Sequence, residues 1–271
     1  MPRRGIEMHI LVCVKHIPDP EAPWVQFSID ESSRTVIPMQ GMRWVISPFD
    51  EQAVEAALRL RDTQGDGRIT LLTVGNEPSR AALKHGLAMG ADDGVLLCDP
   101  LFERGDAWSM GVAIAAAVRK LDAPSLVLTG RQSADWDGGA VGSFVAEALD
   151  RALVTCACAL VPADDGLCVD RVVDGGVDSL LVPLPAVVTV SNELGKPRVP
   201  SLRETMRAAR KPIMTWNAAD LGLTDAQLAA RSRCERLYAP EQARVCEFIG
   251  GTTAREQAVL LAARLREACL I

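Results

Sequence analysis

Residues 129–142, TGRQSADWDGGAVG, set four glycines, two carboxylates and a tryptophan between an apolar run and a helical pattern. The chemistry that suits such a turn is the holding of a phosphate. At a strand-to-helix turn the backbone N–H groups can approach an anion at the helix N-terminus, beyond the carboxyl end of a strand. Gly138, Gly139 and Gly142 permit that approach, and a glycine placed inside a helix costs about 1 kcal/mol relative to alanine. Asp135 and Asp137 would repel a phosphate they faced. They are therefore expected to cap the helix, to turn toward ribose hydroxyls, or to hold the loop together. A plain Asx-type turn with no ligand is the alternative reading. The spacing matches neither G-x-x-x-x-G-K-[ST] nor G-x-G-x-x-G, so neither NTP hydrolysis nor an ordinary dinucleotide fold is indicated.

Other chemistry finds less support. The histidines His9, His16 and His85 have no metal-ligand spacing relative to one another or to the cysteines, and the eight cysteines contain no C-x-x-C. Neither a metal nor a disulfide framework is expected, and most of the cysteines read as small buried apolar residues. His16, in VKHIPDP, reads as a solvated loop histidine with no catalytic role. Lys15 is the basic residue near the first strand end, and no catalytic set of acids, or of Lys, Ser and His, can be assembled around it. A net charge of −6 gives no basic surface for nucleic acid, and no apolar run reaches the roughly 18 residues of a membrane span. Met1 to Glu7 lacks the apolar stretch of a secretory signal. A cytoplasmic protein is expected.

The elements that position the turn follow from the apolar pattern. HILVCV (9–14), RITLLTV (68–74), GVLLC (94–98), SLVLTG (125–130) and AVVTVS (186–191) read as strands buried on both faces. Between them lie amphipathic helices near 79–89, 106–121 and 139–149, and one that begins at SPFDEQAVEAALRLRD. There Ser47 fits the N-cap, Pro48 the first turn and Asp50 the third helical position. This alternation predicts an α/β fold with a mostly parallel sheet and helices on both faces. From 154 to 183 the segments VTCACALV, LCVDRVV and VDSLLVP follow one another across ADDG and DGG, which predicts an antiparallel extension. NELGKPRVPSL is a loop before a short helix at 202–209. The stretch 212–251 carries brief helical patches only, and TTAREQAVLLAARLREACL closes the chain as a helix. The expected division is an α/β nucleotide-binding domain over 8–211 and a C-terminal arm over 212–271 that wraps on the domain or on a partner.

ILVCVKHIPDP, SPFDEQAVEAALRL, LAMGADDGVLL, LTGRQSADWDGGAVG, VDGGVDSLLVPLPAVVTV and LGKPRVPSLRETMRA resemble, in the same order, the successive motifs of the electron-transfer flavoprotein β subunit. The resemblance runs from about residue 8 to the last helix. It implies a Rossmann-like (adenine nucleotide α-hydrolase-like) fold and a heterodimer with an α subunit that makes most contacts to an electron-transferring FAD. It implies electron transfer from acyl-CoA or other dehydrogenases to a quinone-reductase-type acceptor. The implied β-subunit nucleotide site maps onto Cys13, Val14, Ser47, Val74, Gly75 and the run Gly130, Arg131, Gln132, Asp135, Asp137, Gly138, Gly139, Ala140 and Val141. Its occupant is AMP, bound structurally, in the simple members of the family. In electron-bifurcating members it is a second FAD that accepts hydride from NADH.

Departures from the family pattern bear on which nucleotide is held. Common members carry Asn where Ser47 stands, a run of acids where Trp136 separates Asp135 from Asp137, and Gln where Ala140 stands. Some place a tyrosine near the flavin ring where Pro20 stands here, and Tyr238, the one tyrosine, is distant in sequence. NELGKPRVPSL resembles the family's recognition loop, which makes Leu194 the expected partner-docking leucine on an exposed loop; the alternative is a loop leucine that fills the local core. RETMRAARK behind it has the charge to steer acidic partners.

Overall fold

A computed structural model describes residues 8–23, 27–239 and 246–271. The N-terminal residues 1–7, read above as lacking a signal segment, and residues 240–245 of the arm lie outside the described residues. In chain order the elements are β1 His9–Cys13, β2 His16–Pro18, β3 Phe27–Asp30, β4 Thr35–Pro38, β5 Trp44–Ile46, α1 Pro48–Gln64, β6 Arg68–Val74, α2 Arg80–Met89, β7 Asp93–Leu97, α3 Pro100–Glu103, α4 Ala107–Lys120, β8 Leu126–Gly130 and α5 Val141–Leu149. They continue with β9 Ala152–Ala163, β10 Gly166–Val173, β11 Gly176–Val182, β12 Ala186–Val190, α6 Leu202–Ala208, β13 Ile213–Trp216, α7 Asp225–Leu228 and α8 Ala254–Glu267.

The main sheet runs β11-β10-β9-β12-β8-β1-β6-β7-β13. From β9 to β13 every pairing is parallel, and β10 and β11 extend the sheet antiparallel. Strand side chains alternate between faces, so each central strand feeds two core layers. Ile10 and Val12 of β1 enter the layer beneath α1 and α2, with Val54, Leu58, Leu83 and Leu87. Leu11 and Cys13 enter the layer beneath α4 and α5, with Ile114, Val118 and Val145. Continuous apolar runs are what a strand covered on both sides requires, and each fully buried Leu or Ile contributes roughly 1.5–3 kcal/mol. This is the α/β, Rossmann-like fold expected from the sequence.

Four features differ from that expectation. Ile213–Trp216 is a ninth strand paired with β7, and Ala218 and Leu228 are buried beyond it, so the sheet and its core continue past residue 212. Residues 16–46 form two small antiparallel pairs, β2 with β5 and β3 with β4, and His16 lies in a strand against the Trp44 ring at 5.3 Å, with burial lowering its pKa. α5 starts at Val141, which leaves Gly138 and Gly139 in the preceding loop. Cys13 alone of the eight cysteines is fully buried; Cys246 and Cys269 are exposed and the others are half-buried.

The arm is held at its root. The Asp106 carboxylate caps α4 by accepting from the Ser109 N–H (3.0 Å) and also accepts from the Arg231 N–H (2.9 Å), the Ser232 N–H (2.8 Å) and the Ser232 hydroxyl (2.9 Å). Burial opposes its charge, yet these donors keep the carboxyl well below the usual carboxylate range. The Arg231 guanidinium lies 3.7 Å from the centre of the Trp108 ring. Farther along, α8 has no buried residue, and Val259, Leu260 and Leu261 face outward. Among the described residues no helix is long and apolar enough to cross a membrane.

Candidate functional site

β8, β1 and β6 are neighbours and parallel, so the loops that leave their carboxyl ends meet at one edge of the sheet. α1 begins at the same place. Its N-cap Ser47 donates its N–H to the Lys15 carbonyl (2.9 Å), and Pro48 sets the first turn without wasting a donor. Asp50, in that turn, is buried, and its two oxygens accept from the Lys15 N–H (2.8 Å) and the Gly130 N–H (3.0 Å). Gly130 is obligatory here because a Cβ would lie 2.6 Å from the Asp50 Oδ1 and 2.7–2.8 Å from Phe49 Cβ and its carbonyl carbon.

The question of the two acids in the glycine turn has a direct answer: they hold the loop. The Lys15 ammonium donates to the Asp135 carboxylate at 2.7 Å, which ties the middle of the turn back to the end of β1. Asp137 accepts from the Gln132 side-chain amide (2.8 Å), donates its own N–H to the Ser133 carbonyl (2.9 Å) and sits at φ +50°, a conformation Asp tolerates better than most residues. Neither acid caps α5, whose N-cap is Ala140 with no side-chain hydrogen bond.

The glycines divide by cause. Gly139 has φ +59°, and Gly142 is squeezed against Thr189 and Thr129, where a Cβ would come within 2.6 and 2.9 Å. Gly138 has neither constraint, and a Cβ there would meet no protein atom within 4 Å. Its small size is free to serve something outside the chain.

The structure brings Val14, Ser47, Gly75 and residues 130–140 to this edge, and turns the side chains of three expected residues elsewhere. The Cys13 side chain points into the core under α4; burial first, then the Asp50 charge, pushes its thiol far above the ordinary cysteine value. Val74 also packs against that layer, and Val141 does so at the start of α5. These three can offer a ligand backbone only. The Arg131 guanidinium stacks 5.3 Å from the Phe49 ring centre, and its backbone N–H is bonded to the Val190 carbonyl at 2.8 Å. Among the described residues, the buried polar atoms near this edge with no partner include the Ser47 hydroxyl, which does not make the cap bond expected of it, and the Arg131 Nε. An orphaned hydroxyl and an orphaned guanidinium N–H suit a phosphate-bearing ligand, because unpaired buried donors cost about 1–3 kcal/mol each.

Comparison with known proteins agrees with the fold. Residues 35–221, from β4 to just past β13, match the model of the electron transfer flavoprotein domain. The chain is 34% identical over 267 residues to the caffeyl-CoA reductase-Etf complex subunit CarD of Acetobacterium woodii, covering 97% of this chain and 100% of that one. It is 34% identical to the electron transfer flavoprotein subunit beta of Megasphaera elsdenii, with 87% and 88% covered, and 35% identical to protein FixA of Azorhizobium caulinodans, with 80% and 78% covered. The chain belongs to the electron transfer flavoprotein β-subunit family.

For a β subunit of this family the segment after β12 was expected to present Leu194 to redox partners, and here the structure corrects the expectation. Leu194 is 8% exposed and packs in the core beneath α1 with Val154, Ala157 and Val190. The loop is preformed, as its glycine and prolines suggested, by a grip that sequence reasoning did not identify. Buried Glu55 of α1 accepts from the Arg198 N–H (3.0 Å) and Nε (2.9 Å) and from Arg59 Nε (2.8 Å). Arg59 in turn donates to the carbonyls of Leu194 (2.8 Å) and Lys196 (3.2 Å). Burial works against the Glu55 charge, but these arginine donors hold its carboxyl below the usual value. What the clamped loop turns outward is Val199 (90% exposed), Leu202 (78%) and Met206 (63%), beside Arg203, Arg207 and Arg210. The structural roles of Asp50 and Glu55 were the hardest to find in advance, because acids on a helix ordinarily face water.

Proposed function

We propose that this β subunit pairs with an α subunit, holds an adenine nucleotide in the loop cradle, and serves as the partner-recognising half of an electron carrier. Family membership supports the first and last parts. The nucleotide is supported by the buried, unpartnered Ser47 hydroxyl at the cradle. Ser47, Arg131 and the backbone of residues 138–141 are the groups that would hold its phosphate, with Asp135 and Asp137 keeping the loop in shape. AMP is the first assignment. A second FAD in its place is favoured by one observation, the open side of Gly138, which gives a diphosphate room to run along the loop. A flavin bound there would supply one- and two-electron redox chemistry. The electron-transferring FAD is assigned to the pair, held mainly by α.

The outward apolar residues of α8 propose its cover: the α subunit, on which the arm after residue 228 would lie. The exposed apolar and basic face of Val199, Leu202 and Met206 replaces Leu194 as the proposed docking surface for dehydrogenases and a quinone-reductase-type acceptor. Three arginines beside it suit an acidic rim.

The αβ pair, purified and denatured, decides the occupant. One flavin and one AMP per pair support the structural-nucleotide reading, two flavins support the second-FAD reading, and one flavin with no further nucleotide overturns both. Gly138→Val is expected to reduce released nucleotide to about a tenth, equivalent to about 1.4 kcal/mol. Because the position is open and outside the left-handed region, the melting temperature should stay unchanged. Full nucleotide content in that variant would place the ligand elsewhere.

A further inference from the structure

One carboxylate joins two strand ends at this edge. Asp50 Oδ2 takes the Lys15 N–H at the end of β1 and Oδ1 takes the Gly130 N–H at the end of β8. Lys15 is then gripped at three points: its N–H by Asp50, its carbonyl by the Ser47 N–H, and its ammonium by Asp135 in the glycine loop. Together with the chain from Gly130 to Asp135, these bonds close a circuit from Asp50 through Lys15 and Asp135 to Gly130 and back, and the residues assigned to the nucleotide hang from it. Hydrogen bonds to a charged acceptor are the stronger kind, and here they replace the hydration that burial removed.

We propose that Asp50 is the positioning residue of the cradle: its carboxylate sets the spacing of the loops after β1 and β8, and through that spacing the affinity for an adenine nucleotide. This rests on the nucleotide reading above. Asp50 acts through Lys15 and Gly130 and needs no contact with the ligand.

The charge of this latch is adjustable near neutrality. Burial raises the Asp50 carboxyl from the ordinary 3.8 to about 7, against the pull of the Lys15 and Gly130 N–H groups and the Lys15 charge; Asp135 pushes the same way as burial. Burial and the Asp50 charge keep the Cys13 thiol neutral, and the Arg131 guanidinium is stacked on the ring of Phe49, the residue before Asp50. A protonated oxygen is a poor acceptor, so the cradle should slacken as pH falls through about 7. Fold stability moves the other way. Between 3.8 and about 7 the folded chain keeps a proton that the unfolded chain has lost, so the contribution of Asp50 to stability falls as pH rises across that window. A residue with a merely structural role would move stability and affinity together.

The test uses the stripped αβ pair titrated with AMP and, separately, with FAD. Asp50→Asn should bind the tighter of the two about tenfold more weakly than the wild type at pH 8, since one buried N–H loses its acceptor. That gap should close toward pH 6, where the wild-type latch is itself protonated, while the melting temperature of the variant relative to the wild type rises from pH 5 to pH 8. Equal affinities at pH 8, or a gap that does not change with pH, overturns the proposal. Should Asp50→Asn fail to assemble, two variants at the rim read the same latch by sign. Asp135→Asn removes a negative neighbour and should move the midpoint of the pH dependence down; Lys15→Met should move it up, and shifts in the opposite senses overturn the proposal. If the wild type binds neither AMP nor FAD, the nucleotide reading falls. Hydrogen exchange at Lys15 and Gly130 then judges the latch: faster exchange in Asp50→Asn supports it and unchanged protection ends it.

Discussion

Leu194→Ala is expected to destabilise the β subunit by about 2–5 kcal/mol, the range for a leucine truncated inside a packed core. The side chain is 8% exposed, and its short helical turn packs on β9 and α1, which are held by the sheet and the core and cannot close the gap. For a chain of this size that corresponds to a melting point roughly 5–15 °C lower. Leu202→Ala should do the reverse. A side chain 78% exposed loses little burial, so the melting point should hold, while electron transfer with a partner dehydrogenase should slow by about tenfold at limiting concentrations, or about 1.4 kcal/mol. Thermal unfolding of the αβ pair beside steady-state kinetics reads both. A thermally silent Leu194→Ala with impaired kinetics would return the docking role to Leu194.

Gly130→Ala carries the second large effect. A methyl group there would stand 2.6 Å from Asp50 Oδ1 and 2.7–2.8 Å from Phe49 Cβ and its carbonyl carbon. Two of those three atoms belong to, or are rooted on, the backbone of the first turn of α1 and cannot swing away. Relieving the clash means moving the helix off the sheet, which costs about 1–3 kcal/mol as overpacking and weakens the Asp50 hydrogen bond as well. A loss of about 3 kcal/mol in denaturant unfolding is expected, together with loss of retained nucleotide. Gly138→Ala, eight residues on and in open space, should stay within about 0.5 kcal/mol of the wild type. If the two alanine variants are equally stable, the close approach of α1 to β8 is wrong.

What the sequence revealed, and what it hid, follows from the range of the forces. The five central strands were legible to within a residue or two because burial on both faces writes itself as an unbroken apolar run. IMTW, at the sheet edge, has two exposed residues of four and no such run, so β13 was read as part of the arm. The glycine turn was legible as a strand-to-helix turn because an apolar run ends in glycine just ahead of a helical pattern. Its organiser was not. Asp50 looks like any acid in a first helical turn, and only the convergence of β1, β8 and α1 puts it out of water. With Leu194, Gly195, Pro197 and Pro200 announced a stiff loop correctly but carried no information on which side chain would face inward. That was decided by Glu55, Arg59 and Arg198, whose pairing spans well over a hundred residues of chain.

The carboxylate of Asp106 closes α4 and fastens residues 231–232 with the same two oxygens, which gives the arm a defined point of attachment for any enzyme that digests it. Trypsin offered the β subunit alone should cut after Arg233 or Arg236, in exposed chain, and spare the bond after Arg231, whose guanidinium lies on Trp108. The surviving fragment should therefore end within a few residues of Ser232, keep its nine-stranded sheet, and show this end by intact mass. Asp106→Ala should shift the first cut to Arg231. A digestion ladder thus reports on the same carboxylate that starts a helix more than a hundred residues earlier in the chain.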